Sequence, residues 1–185
     1  MEKNRLEAFS DGVLAIIITI MILELKQPVS DGLHDLLALW PTLLAYLLSF
    51  FFIAIYWVNH HHMFQLAERI NLKILWCNIV WLFIMSFIPF TTAWVGSYPT
   101  SWAPLSAYFG DMALACVSSH LMICLIAREN GVPFRLGLRS IVSLVVYCAA
   151  AFLGGLVPSV SFIVVAAVSL WWIVPEKGAE DAAAQ

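Results

Sequence analysis

Charge is what this sequence has least of. Lys, Arg, Asp and Glu together make up 11% of its 185 residues, where a soluble domain carries about 25%. A soluble fold would need nearly every helix buried on all sides, and a chain this size has too little interior for that. No basic patch marks a nucleic-acid partner. The 4 cysteines, Cys77, Cys116, Cys124 and Cys148, all fall inside apolar stretches. None stands in a CxxC or zinc-type spacing, which excludes a disulfide framework and a zinc centre and leaves small buried hydrophobes. No Ala-x-Ala site follows the first apolar segment, so that segment is expected to stay in the mature protein. Soluble domain, long linker and internal duplication are all absent, and the expectation is one membrane domain, 1–175, with a short flexible cytoplasmic tail, 176–185.

What is present is apolar: 62% of residues are hydrophobic and the mean hydropathy is +0.90. Six hydrophobic segments can be drawn, near 6–25, 36–58, 74–95, 105–127, 138–157 and 159–174. A helical span needs about 20 residues at 1.5 Å rise. The sixth segment is short because Pro158 and Pro175 bound it, and Gly154, Gly155 and Pro158 predict a tight turn that separates it from the fifth. These readings predict an all-α membrane protein with six transmembrane helices.

Basic residues orient the spans. With the N-terminus inside, Lys3, Arg5, Arg69, Lys73, Arg128, Arg135, Arg139 and Lys177 lie inside, and of the 9 Lys and Arg only Lys26 lies outside. That positive-inside bias predicts both termini in the cytoplasm. Trp40, Trp57, Trp94, Trp102, Trp171 and Trp172 fall near span ends, where amphipathic rings favour the interface, while Trp76 and Trp81 lie deeper and are expected to pack between helices.

The first segment has polar and ionisable residues at its head: Arg5, Ser10 and Asp11. A carboxylate at membrane depth costs roughly 2.5 to 3.5 kcal/mol on insertion scales unless it faces protein or water, so it needs a partner. With Ile16 at zero and 100° per residue, Gly12, Thr19, Ile20 and Leu23 lie within about 60° of it, while Ser10 and Asp11 fall about 120° and 140° away. One face is therefore a ladder of Ile16, Thr19 and Leu23, and the other offers a hydroxyl and a carboxylate to neighbouring helices. Arg5 shares a face with Phe9 but is about 120° out of phase with Asp11 and cannot pair with it on a straight helix. Candidate partners for Asp11 at the same depth are Trp57, Asn59, His60, His61, His62 and Asn78.

The pattern Arg5-x-x-x-Phe9-Ser10-Asp11, followed by Ile16, Thr19 and Leu23, resembles the signature of the transmembrane protein 175 family of potassium channels. Together with the six-span layout, the resemblance covers nearly the whole chain. Animal members of that family carry two six-helix repeats, and bacterial members carry one and assemble as tetramers; this chain resembles the bacterial type. The resemblance implies a pore surrounded by four copies of helix one. Ile16 would then be the narrowest hydrophobic constriction, Leu23 a second apolar ring and Thr19 a hydroxyl layer. It also implies a structural network of Arg5, Phe9, Ser10, Asp11, Trp57 and Asn78, with His60 and His61 both open as its histidine.

Other outliers read less sharply. Val95-Gly96-Ser97-Tyr98 faintly resembles a carbonyl-filter loop but lacks a flanking pore helix, and is read as a turn. His60, His61 and His62 point 100° apart on a helix and cannot converge on one ion, so no metal site and no metal enzyme is expected. Asp111 is placed near the outer start of segment four, reachable by water, and His120 lies deeper on the opposite side of the same helix. Glu24, at the outer end of helix one, is positioned to raise cation concentration at the mouth. The expected function is a potassium-preferring cation channel and not an enzyme. No cofactor is expected beyond permeant K+, and the setting is a homotetramer in lipid in the cell (inner or plasma) membrane. The competing reading is a proton-coupled transporter or proton channel using Asp111 or His120.

Overall fold

The computed structural model describes residues 3–133 and 136–173, and every described element is helical: α1 (Lys3–Leu23), α2 (Leu33–Ala38), α3 (Trp40–Gln65), α4 (Leu72–Met85), α5 (Ile88–Ser97), α6 (Trp102–Asn130), α7 (Leu138–Leu153) and α8 (Pro158–Trp171). Four stretches are long and apolar enough to cross a membrane: α1, α3, α4 with α5 as one bent span, and α6. The chain is thus a multi-pass membrane protein. α7 and α8, of 16 and 14 residues, stand where segments five and six were drawn. α7 is shorter than drawn because the turn from Gly154 to Val157 takes its last four residues, and α8 starts at Pro158 and ends at Trp171, before the drawn end at 174. At 1.5 Å per residue they reach roughly 24 and 21 Å, short of a hydrocarbon core of about 30 Å. The predicted tail, 176–185, lies outside the described residues.

Proline sets two of the breaks. Pro41 stands in the first turn of α3, where its missing N–H costs nothing, and this starts α3 at Trp40 and leaves α2 as a separate turn-length helix. α3 then runs to Gln65, so the Asn59 to His62 stretch is helical and is not the span's inner end. Pro89 divides the third span: it cannot donate to the carbonyl one turn back, and the chain tightens so that Phe87 N–H donates to Ile84 O at 3.0 Å. Before α2, Ser30 Oγ donates to Asp35 Oδ2 at 2.5 Å, and this bond, with His34 beside it, lowers the Asp35 carboxyl from its ordinary range. A depressed carboxyl keeps its bond at neutral pH and loses it as pH falls through the lowered value.

α1 lies against α3, α4 and α5, while α6 packs on α4, α5 and α7, and α8 closes on α7 and α3. Trp81, Tyr108, Phe52, Phe64 and Phe109 are the largest fully buried side chains, and Phe162 of α8 meets Tyr108 and Phe109 of α6. Trp81 is buried as expected, but Trp76 is not: it is 58% exposed, because it is five residues from Trp81 and turns 140° away on a straight helix. α6 ends at Gly131, whose φ of 67° suits a residue without Cβ. Beside it Asn130 Oδ1 accepts from the backbone N–H of Glu68 and Arg69, at 2.9 and 2.8 Å, and ties the α3–α4 loop to α6.

Lipid tails are as apolar as leucine, so helices here associate through close packing and polar contacts. The α3–α5 crossing shows this: Thr42 Oγ1 donates to Gly96 O at 3.0 Å, and a Cβ on Gly96 would sit 2.9 Å from Thr42 Cα. The Val95 to Tyr98 stretch is the end of α5 and its cap, not a filter loop. Gly96→Ala is expected to destabilise the subunit by about 1–3 kcal/mol through overpacking, read as a lowered unfolding midpoint in detergent by circular dichroism.

Candidate functional site: helix α1 and its bracing network

Five residues face inward from α1: Leu6, Ser10, Leu14, Ile17 and Met21. Their spacing of three and four is one helical stripe. The other side of α1 is uncovered within the subunit: Ile16 is 59% exposed, Ile20 42% and Leu23 80%. Thr19 lies on this outer face too, and its hydroxyl donates to Ile16 O at 2.8 Å. Its proton is thereby used, and only oxygen lone pairs point outward.

Consecutive residues on a helix point 100° apart, and α1 uses this to reach two neighbours at once. Ser10 Oγ donates to Leu6 O at 2.9 Å and accepts from Asn78 Nδ2, also at 2.9 Å. Asn78 Oδ1 meets His60 Nε2 at 2.8 Å. Ser10 and Asn78 are 0% exposed and His60 3%. One residue on, Asp11 Oδ1 accepts from Trp57 Nε1–H at 2.9 Å. α1 is thus held to α4 through Ser10 and to α3 through Asp11.

The order of donors assigns the proton on His60. Ser10 spends its hydroxyl proton on Leu6, so it must accept from the Asn78 amide NH₂. That turns the Asn78 carbonyl toward His60, which must donate from Nε2. Neutral His60 then keeps Nδ1 as an acceptor. Its ring stacks on Trp81 at 5.0 Å between centroids, 11° from parallel. The buried Trp81 Nε1–H has no acceptor among the described residues.

The network is narrower than the sequence pattern suggested. Arg5 is exposed and has no hydrogen bond or ion pair among the described residues; Phe9, at 57% exposure, shares its outward face. Of the two histidines, His60 joins Asn78, whereas His61 is turned about 100° away and pairs with Gln65 on its own helix. Trp57 is the Asp11 partner among the six candidates. Glu24 is exposed just past α1 and lines a surface cleft together with Lys26. Among the described residues no group of three His, Cys, Asp or Glu could hold a metal ion.

Asp111 requires correction. α6 begins at Trp102, so Asp111 is nine residues into the helix, only 8% exposed, and accepts from Thr91 Oγ1 at 3.2 Å. The expected solvated helix-start acid is a buried one, because α6 starts at Trp102, about a turn before the apolar run that placed it. Its setting was not legible in the sequence: Thr91, which meets it, looks like any polar step in an apolar run. His120 bonds its own helix, Nδ1 to Cys116 O at 2.6 Å, and does not meet Asp111.

These features define a multi-pass, all-helical membrane protein whose first helix is polar-braced on one side and bare on the other. Residues 5–89 match the family described as "Endosomal/lysosomal potassium channel TMEM175", a stretch that holds every member of the bracing network. A potassium channel of Chryseobacterium sp. (strain P1-3) is 36% identical over 186 residues, covering 97% of this chain and 97% of that one. The crystal structure of a lysosomal potassium-selective channel TMEM175 homolog from Chamaesiphon minutus superposes with a TM-score of 0.79 at 28% identity, over 93% of this chain and 96% of that chain. The endosomal/lysosomal proton channel TMEM175 of Danio rerio is 31% identical over 110 residues, which is 54% of this chain and 20% of that protein. The chain belongs to the TMEM175 family, a family of ion channels and not of enzymes.

Asn78→Leu removes two interhelical hydrogen bonds and strands Ser10 and His60 in a dry setting. The expected loss is about 1–3 kcal/mol, against less than about 0.5 kcal/mol for exposed His61→Ala. Thermal unfolding of the two variants in one detergent makes the comparison.

Proposed function

We propose that the protein is a potassium-preferring cation channel, a homotetramer of six-span subunits with both termini in the cytoplasm, conducting through a pore lined by α1. The cell membrane is the setting and K+ passes as the permeant ion, with no cofactor. The observation that carries this reading is the division of α1 into a stripe buried on α3, α4 and α5 and an unpartnered ladder of Ile16, Thr19 and Leu23. Four such ladders around an axis give two apolar rings with a hydroxyl layer between them.

A narrow apolar ring gates by dewetting: water leaves the neck, and a cation must shed hydration to cross. Widening the rings at Ile16 and Leu23 by motion of α1 is the gate. Helical backbone carbonyls are spent on the helix's own hydrogen bonds, so no carbonyl filter is available on α1. Thr19 supplies the one polar layer on the ladder. Its hydroxyl proton is turned back to Ile16, and the outward lone pairs suit a partly dehydrated cation. The Ser10–Asn78–His60 and Asp11–Trp57 bonds hold α1 in register, which a ring closed by single side chains requires. The network's role is bracing, and the ions meet the aliphatic face.

The second reading, proton conduction, draws support from the buried Asp111 and from the printed name of the Danio rerio relative. Reversal potentials of reconstituted protein separate the two: a K+ channel follows the K+ gradient and a proton path follows pH. Ile16→Asn is expected to hydrate the neck, raising single-channel conductance several-fold or shifting the reversal potential under a K+/Na+ gradient toward zero. An unchanged current from folded protein removes Ile16 from the pore.

A further inference from the structure

A second buried polar cluster lies apart from both the ladder and the bracing network, near the Trp102 end of the bundle. Ser49 Oγ of α3 bonds Thr92 Oγ1 of α5 at 2.7 Å and Tyr108 Oη of α6 at 2.8 Å. Thr92 also touches Met21 Sδ of α1 at 4.0 Å. One turn past Tyr108, Asp111 meets Thr91. Three helices thus share one patch of hydroxyls, with the Met21 thioether of α1 against it and a single carboxyl group at its edge.

Among the described residues no ion pair is found at that carboxyl group; the His34–Asp35 pair lies far along the chain. α5 carries no titratable side chain. α4 meets α6 further on, where Cys77 approaches Ser118 O, and α3 contributes the neutral Ser49. The titratable groups near Asp111 are Tyr108 on its own helix and, behind it, Tyr147 of α7. Asp111 lies nine residues from the helix start, roughly 14 Å at 1.5 Å per residue, and a carboxylate held there by one neutral hydroxyl is expensive.

Thr91 is placed to respond. Its one hydroxyl proton has three acceptors within reach: Asp111 Oδ2 at 3.2 Å, Ile88 O at 3.2 Å and Phe87 O at 3.3 Å. Only one can take it at a time. A charged Asp111 claims it. A protonated Asp111 instead donates its own O–H to Thr91 Oγ1, and Thr91 turns its proton back to the carbonyls at the Pro89 bend. Residues of this bend and of the ladder helix line one groove: Ile16, Ile20, Ser86, Pro89 and Phe90.

We propose that Asp111 is a proton-binding site within the subunit core, and that its occupancy resets the Thr91 hydrogen bond at the bend supporting α1. The ligand is a proton from the water at the Trp102 end, added to and released from a carboxylate oxygen with no other bond broken. Coupling to current rests on the channel reading above; proton binding does not.

The test is an infrared difference titration of the purified full-length protein, following the carbonyl stretch of a protonated carboxyl group. Wild type is expected to show a band that vanishes as pH rises. Asp111→Asn loses this band, and Thr91→Val, which keeps the carboxyl group, moves it to higher frequency because the hydroxyl partner is gone. A titration identical in all three, or no titrating band that depends on Asp111 or Thr91, overturns the proposal. If Asp111→Asn does not fold, Thr91→Val alone decides by the same shift. In bilayers, current stepping with pH on the Trp102 side is expected in wild type and lost in Asp111→Asn. A protein that titrates but carries no K+ current overturns the channel reading and leaves the proton site standing.

Discussion

The Asn78 side-chain amide joins three helices through one planar group. Its NH₂ meets Ser10 on α1 and its carbonyl meets His60 on α3, while its own backbone belongs to α4. An amide offers donor and acceptor at opposite corners, and each neighbour accepts only one of them: Ser10 has no proton left to give, and His60 must give one. The amide therefore cannot flip without losing both bonds. In hydrocarbon, where apolar packing alone leaves helices free to slide and rotate, such a group fixes rotation and depth together.

That constraint explains the division of labour along α1. Ser10 and Asp11 are adjacent and reach different helices, so the helix is pinned about its axis from two sides, with Leu6, Leu14, Ile17 and Met21 filling the seam between them. Pinning leaves the opposite face bare, and the ladder of Ile16, Thr19 and Leu23 occupies it. Of the polar residues that look functional at the head of the helix, Ser10 is buried and Asp11, though exposed, is tied to Trp57, while the aliphatic ones are the surface offered to something beyond the subunit. Toward the other end, α1 meets α5 through Met21 and Thr92, beside the bend at Pro89, so the ladder rests on a half-helix that proline has already broken from its span.

Particular residues show how far sequence reasoning reached. Phase alone separated Ser10 and Asp11 from the ladder, because a helix of 3.6 residues per turn has only one geometry. Proline and glycine marked the turn between α7 and α8 because their backbone limits are local. Helix ends were less legible: polar Asn59 to His62 did not end α3, since a helix stops where its backbone is broken or capped, and none of these residues does that. Asp111 was misplaced for the same reason, its helix beginning earlier than the apolar run implied.

The sequence by itself determined the class of protein, the phase that sets Ser10 apart from the Ile16 ladder and the residues eligible to brace α1, because composition and periodicity are properties of one segment at a time. Tertiary structure decided the partners. It chose His60 over His61, Trp57 for Asp11 and Thr91 for Asp111, and left Arg5 and Phe9 outside the network. Those choices depend on which turn of one helix comes level with which turn of another, and that register is set by packing among segments far apart in the chain.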